Sequence, residues 1–186
     1  MILIILILVK ENVNRKKTFK IVIVILILIS CVLIGINQYQ KRSSKFLFTK
    51  STNLVENISG LQLYDNIESK EFIKKYGVNI KSPDYVGYDY YNLSDGLLIA
   101  TNKQKQIISI MINDKSKSTL KTGKGIKLES SVDNIIKLYG KDYYKRLDDI
   151  GLPVIGYVDK KRGINLEFFY YQNKVKEVRY TINSMQ

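Results

Sequence analysis

Apolar residues fall into two regimes along the chain. From Ile21 to Ile36 the sequence IVIVILILISCVLIGI runs sixteen residues without a charge, whereas after Ser59 apolar and polar positions alternate with helical or strand periods. The first regime predicts a spanning helix over 21–37, since about 30 Å of hydrocarbon takes about 20 residues at 1.5 Å each. Arg15, Lys16, Lys17 and Lys20 precede it, which by the positive-inside rule places residues 1–20 in the cytoplasm and the rest of the chain outside the cell. Met1–Val9 is also apolar but too short to cross as a helix. Residues 38–59 are polar and read as a linker.

After the linker the pattern repeats at about 65 residues, with 60–118 as the first unit and 119–186 as the second. Gly60-Leu61-Gln62-Leu63 returns as Gly125-Ile126-Lys127-Leu128, and Phe72-Ile73-Lys74-Lys75-Tyr76-Gly77 as Ile135-Ile136-Lys137-Leu138-Tyr139-Gly140. Val86-Gly87-Tyr88 answers to Ile155-Gly156-Tyr157, Gly96-Leu97 to Gly163-Ile164, and Ile107–Ile110 to Val175–Val178. Each unit opens with a capped helix. Ser130 and Asp133 form a capping box in the second and Asp65 and Glu68 its counterpart in the first, with Gly140 and Gly77 as closing glycines. Strands follow, ending in a hairpin of 166–171 and 175–182 around Gln172-Asn173-Lys174. By alternation Leu166, Phe168, Tyr170, Val178, Tyr180 and Ile182 face the helix, and Phe169, Tyr171, Glu177 and Arg179 face away. The expected class is α+β: a transmembrane helix, then two tandem repeats, each a short helical element packed on an antiparallel sheet.

Gly-Ile-Lys-Leu, Ser-x-x-Asp, an apolar helix, Leu-Tyr-Gly, aromatic strands and a closing Val-x-x-Val hairpin together resemble the repeat of the β-lactamase inhibitor protein family and the related SmpA/OmlA (BamE-like) lipoproteins. The resemblance covers about residues 60–183. It implies a helix-on-sheet unit in tandem, in an exported membrane-attached protein that works by binding. The inhibitor family's disulfides are absent, and no contact residue transfers.

Charge and composition narrow the chemistry. The formal charge is +13 over 186 residues, of which +9 lies beyond Ile36, spread without a basic block or nucleic-acid-binding motif. Nucleic acid is therefore not an expected partner. Membrane lipid through residues 21–37, an envelope protein and an anionic wall polymer are, against the compositional explanation that an AT-rich genome inflates lysine. Histidine is absent and Cys31 is the single cysteine, so Ser-His-Asp and Cys-His nucleophiles and His- or Cys-ligated zinc cannot be built. No cofactor or metal is expected, and the chain does not read as an enzyme; a carboxylate-dependent envelope hydrolase is the competing class.

Leu28-Ile29-Ser30-Cys31 resembles a lipobox, which makes Cys31 a candidate for lipidation, although the apolar run continues past it. Uncleaved signal-anchor and lipoprotein both place the later residues outside. Fourteen tyrosines supply candidate interface anchors. Phe169, Tyr171 and Arg179 on the outward strand face, with Tyr88 and Tyr90 in the first repeat, form the candidate partner-binding face; packing of one repeat on the other is the competing role. Asp84, Asp89 and Asp95 lack calcium-loop spacing, Asp148-Asp149 would point to opposite faces of a strand, and Thr122-Gly123-Lys124-Gly125 lacks phosphate-loop spacing.

Overall fold

The computed structural model describes residues 23–32, 49–77, 80–82 and 88–183. The chain divides into two compact units, Met1–Leu47 and Phe48–Gln186. In the first, a helix over residues 23–32 (α1) is the described element. Its ten residues rise about 15 Å, half of a bilayer's hydrocarbon. No helix among the described residues is long and apolar enough to cross a membrane. This corrects the expected transmembrane helix over 21–37, and with it the signal-anchor and the single-pass location with an extracellular C-terminal part. Residues 1–20 lie outside the described residues.

The second unit is predominantly antiparallel sheet. Helix α2 (Lys70–Tyr76) precedes β1 (Ile80–Ser82), β2 (Asp89–Asn92), β3 (Leu98–Thr101) and β4 (Ile107–Ile112); helix α3 (Val132–Tyr139) precedes β5 (Tyr144–Leu147), β6 (Pro153–Asp159), β7 (Ile164–Tyr171) and β8 (Lys174–Ile182). The strands form one sheet in the order β1-β2-β3-β4-β8-β7-β6-β5. Every neighbouring pair is antiparallel, and β4 joins β8 through Ser109↔Thr181, Ile110↔Tyr180, Met111↔Arg179 and Ile112↔Val178. The expected class is corrected accordingly. There is no spanning helix among the described residues, and the helix-and-strand units expected in tandem share a single continuous sheet.

Alternation decides which residues meet the helices. Ile99, Ile110, Ile112, Val178, Tyr180, Leu166, Phe168, Ile155 and Tyr157 are buried with Phe72, Tyr76, Ile135 and Tyr139 of the helices in one core. Each fully buried aliphatic side chain there contributes about 1.5–3 kcal/mol of transfer free energy. The helices begin later than the expected boxes, at Ser69 instead of Asp65 and at Ser131 instead of Ser130. Ser69 and Ser131 are the N-caps, accepting from Phe72 N at 3.2 Å and Asn134 N at 3.3 Å. Asp65 and Ser130 instead close the preceding turns by accepting from Gln62 N (2.8 Å) and Lys127 N (3.1 Å).

Residues 49–58, expected as linker, are packed structure. Leu54 and Ile58 are buried in the core. Thr52 N donates to Val158 O (2.8 Å), Lys160 N to Ser51 Oγ (3.0 Å) and Tyr180 Oη to Leu54 O (3.1 Å). Burial of Glu56 fixes this strap at its end: its carboxylate accepts from Asn57 N (2.9 Å), Gly123 N (2.6 Å) and the hydroxyl of Tyr139. A Cβ at Gly123 would collide with that carboxylate and with Asn57 Nδ2, so a side chain there would have to displace both.

The two halves repeat one another's hydrogen bonds. Tyr64 N donates to Ile107 O and Glu129 N to Val175 O, with both donors at positive φ (73° and 67°). Ile107 N donates to Asp65 O and Val175 N to Ser130 O; Ile58 N to Leu61 O and Thr122 N to Ile126 O. At two places a residue bridges its own counterpart, Met111 with Arg179 in the sheet and Ile58 with Thr122 above it. A local twofold axis therefore passes through both pairs.

Candidate functional site

The face of the sheet turned away from the helices divides along its length. One row across the strands, Val158, Asn165, Thr181, Ser109 and Ala100, is buried. The neighbouring part, where β5 to β8 end in hairpins, carries a polar cluster built around Phe169.

Glu167 lies on β7 between apolar neighbours with its side chain 1% exposed, and Arg146 on β5 reaches it with two parallel bonds, Nε to Oε1 at 2.6 Å and Nη2 to Oε2 at 2.7 Å. Tyr144 Oη donates to Glu167 Oε1 at 2.7 Å. Its hydroxyl end lies against β6 at Gly156, where an added Cβ would collide with Tyr144 Cζ and Oη. Burial and then the Glu167 charge push the Tyr144 hydroxyl well above the ordinary phenol range, while the bond to Glu167 holds the Arg146 guanidinium protonated beyond its usual range. The second arginine, Arg179 on β8, binds Glu177 Oε1 through Nε (3.0 Å) and Nη2 (2.5 Å). The Phe169 ring sits between the two guanidiniums, 5.3 Å from Arg146 and 4.6 Å from Arg179. Such stacking holds planar cations in fixed orientations.

Of the candidate face, Phe169 and Arg179 are thus brought together, with Tyr171 at the end of β7 on the same side. Their exposures differ: Phe169 is 3% exposed, the Arg179 side chain 36% and Tyr171 54%. Phe169 is a support rather than a contact, and the residues that reach solvent are Arg179, Glu177 and Tyr171. Tyr90 shares the face through Tyr90↔Ala100↔Ser109↔Thr181, but three strand spacings, about 14 Å, separate it from β8. Tyr88 lies just before β2, so neither tyrosine joins the cluster. Cys31 is exposed on α1. Sequence reasoning missed Arg146 and Glu167 as a pair. The available signal was Glu167 itself, an acid in the middle of INLEFFYY, because a buried carboxylate demands a cation or several donors.

The remaining candidates have structural partners. Asp89 pairs with Lys105 at 3.0 Å, and burial-independent bonding to Asp89 and Tyr91 raises the Lys105 ammonium to about 12. Asp95 accepts from Leu97 N, and Asp148 from Ile150 N and Leu152 N in a turn; Asp84 lies outside the described residues. Thr122 holds the Glu56 network, its hydroxyl 2.8 Å from Tyr139 Oη. Among the described residues no group of His, Cys, Asp and Glu has the arrangement to hold a metal ion. No protein-family model, curated protein or solved structure matches the chain.

Proposed function

We propose that this is a non-enzymatic binding or scaffold protein that engages a protein partner through the β5–β8 end of the sheet face opposite its helices. The observation that carries the reading is the Arg146–Phe169–Arg179 stack. Arginine and tyrosine dominate binding energy at interfaces when they are held in place beforehand, and Arg179 is held by Glu177 and Phe169 before any partner arrives. Tyr171 adds amphipathic area at low rotamer cost. The likeness of the repeat to the β-lactamase inhibitor and SmpA/OmlA families belongs to the same reading, since it implies a protein that works by binding.

The competing class, a hydrolase acting with carboxylates, needs two acids free to exchange protons. At this face both are committed, Glu167 to Arg146 and Tyr144 and Glu177 to Arg179. A photoreactive phenylalanine analogue at position 171, compared with one at Lys137 on α3, tests the binding face in the cells that make the protein. The expected result is a cross-linked species of discrete mass from position 171 that disappears with Arg179→Ala. Equal cross-linking from both positions, or a product indifferent to Arg179→Ala in a chain that keeps its sheet signal, would refute it.

A further inference from the structure

We propose that the free edge of the sheet at β5 is a dimerisation surface, and that its occupant is β5 of a second copy of this chain, paired antiparallel about a twofold axis through Leu147. This inference does not depend on the sheet face.

β5 ends the sheet, so one side of its backbone has no neighbouring strand. The hairpin with β6 fixes which groups point there. Asp148 N donates to Leu152 O at 2.9 Å. Bonded and open pairs alternate along an antiparallel ladder, so Arg146↔Val154 and Tyr144↔Gly156 are bonded while Lys145↔Ile155 and Leu147↔Pro153 are open. Pro153, which has no N–H to give, agrees with that assignment. The amides and carbonyls of Lys145 and Leu147 are therefore turned outward, and Leu147 O meets Arg146 Nη1 at 3.4 Å, which leaves it a second lone pair. Charge alone protects many sheet edges from pairing. This edge combines charge with bare apolar surface. Ile150 (83%), Val55 (69%) and Leu147 (65%) are the most exposed large apolar side chains among the described residues, and two of the three fall within residues 147–150.

The charges select the occupant. Residues 145–149 read Lys-Arg-Leu-Asp-Asp. When this segment meets a second copy running antiparallel with Leu147 on the axis, Lys145 stands opposite the partner's Asp149 and Arg146 opposite the partner's Asp148, and the reverse. An isologous contact needs such self-complementarity, because residue i meets j while j meets i. The inner charges are already engaged, Arg146 with Glu167, and Asp148 with Ile150 N (3.0 Å) and Leu152 N (2.7 Å). The outer ones are not. Among the described residues Lys145 and Asp149 are exposed and in no ion pair, and Lys145 lies 5.7 Å from the Tyr143 ring. The register thus brings together the two charges of the segment that lack a counter-charge. Moving the axis to Arg146 would set like charges opposite each other and Lys145 opposite a leucine. With the axis at Leu147, two reciprocal backbone bonds form across it, the Leu147 side chains cover one another, and one antiparallel sheet continues through both copies.

The test is disulfide trapping of the detergent-dispersed full chain carrying Cys31→Ser and Leu147→Cys. Bonded antiparallel partners have Cα atoms about 5.5 Å apart, within disulfide reach, so mild oxidation should give a covalent dimer. Lys103→Cys in place of Leu147→Cys puts the thiol on an exposed turn elsewhere and should give none. Adding Lys145→Asp or Asp149→Lys to the Leu147→Cys chain makes both charge pairs repulsive, and each should lower the yield at least about tenfold. An equimolar mixture of those two variants restores both attractive pairs and should recover the dimer as the mixed species, recognised by its mass. Equal trapping from positions 103 and 147, no covalent dimer from position 147, a yield indifferent to both charge changes, or a mixture no better than its components overturns the proposal. The substituted positions 103, 145, 147 and 149 are exposed, and unchanged urea midpoints check the fold. Cross-linking from position 171 should persist in Lys145→Asp, which separates failure here from failure of the sheet face.

Discussion

Raising the pH should unfold this protein abruptly, and the tyrosines set where. Four phenols are buried and hydrogen-bonded as neutral groups. Tyr139 bonds to Glu56 and Thr122, Tyr144 to Glu167, Tyr157 to Gly140 O at 2.8 Å, and Tyr180 to Leu54 O at 3.1 Å. Burial is the leading cause in each case, raising Tyr180 to about 12 from its ordinary 10.0 and the other three further. A group whose pKa is higher in the folded state contributes its full stabilisation below the unfolded value and loses it as pH rises toward the folded value. Between about pH 10 and 12 each phenol therefore costs about 1.4 kcal/mol per pH unit, and four cost about 5.5 kcal/mol by pH 11 and about 10 by pH 12. That spans the whole stability of a typical domain, about 5–15 kcal/mol. The half-buried Lys105, raised by its bonds to Asp89 and Tyr91, acts in the same direction. Urea unfolding from about pH 8 to 11.5, with phenolate absorbance followed alongside, measures the slope. Tyr157→Phe should lower it by about a quarter, since three of the four buried phenols then titrate. A flat stability to pH 11.5, or phenols titrating near 10 while the sheet signal persists, would refute the argument.

Two further substitutions probe the buried charges. Arg146→Met strands the Glu167 carboxylate and should cost about 3–5 kcal/mol in urea unfolding, whereas Arg146→Met with Glu167→Leu should recover much of the loss, because a buried pair is weak support but a lone buried charge is expensive. Glu56→Gln should cost about 1–3 kcal/mol, since an amide cannot accept from Asn57 N, Gly123 N and the Tyr139 hydroxyl together; amide exchange at Gly123 should quicken while that of β7 and β8 stays slow, and uniform quickening would contradict the strap assignment.

The hairpin of β7 and β8 was legible because a period of two in β-branched and aromatic residues states both the conformation and the faces, and Phe169 and Arg179 fall together on the outward side. The expectations failed where neighbouring residues are equally suited to one role or where the decisive contact is remote in sequence. Ser130 and Ser131 are equally good caps locally, and only the use of Ser130 Oγ on Lys127 N assigns the cap to Ser131. Leu54 and Ile58 sit in a polar stretch without periodicity, and their burial comes from chain far along the sequence, through Thr52 with Val158, 106 residues on, and Ile58 with Thr122, 64 residues on. The apolar run at 21–36 failed differently: composition allows a span, but no helix among the described residues is long and apolar enough to make one. Arg146 was invisible because nothing in YKRL announces a partner on β7 two strands away.

The twofold relation also bears on the proposed binding face, which lies in one half. Joining β4 to β8 covers two strand edges at once, and among the described residues the sheet ends in the short strands β1, of three residues, and β5, of four. Because Met111 pairs with its own counterpart Arg179, the residues across from them are counterparts too: Leu98 corresponds to Glu167, and one step along, Ala100 corresponds to Phe169. Helix-facing positions remain apolar in both halves, as Ile110 and Val178 do, since both halves share one core. On the opposite face the first half has Leu98, Ala100 and Met111 where the second has Glu167, Phe169 and Arg179. Packing cannot account for that divergence, because a buried glutamate needs Arg146 and Tyr144 to offset its desolvation whereas a leucine needs nothing. The costly cluster lies in the half whose rim, Arg179 and Tyr171, meets solvent, and that is the half in which substitutions should alter partner binding first.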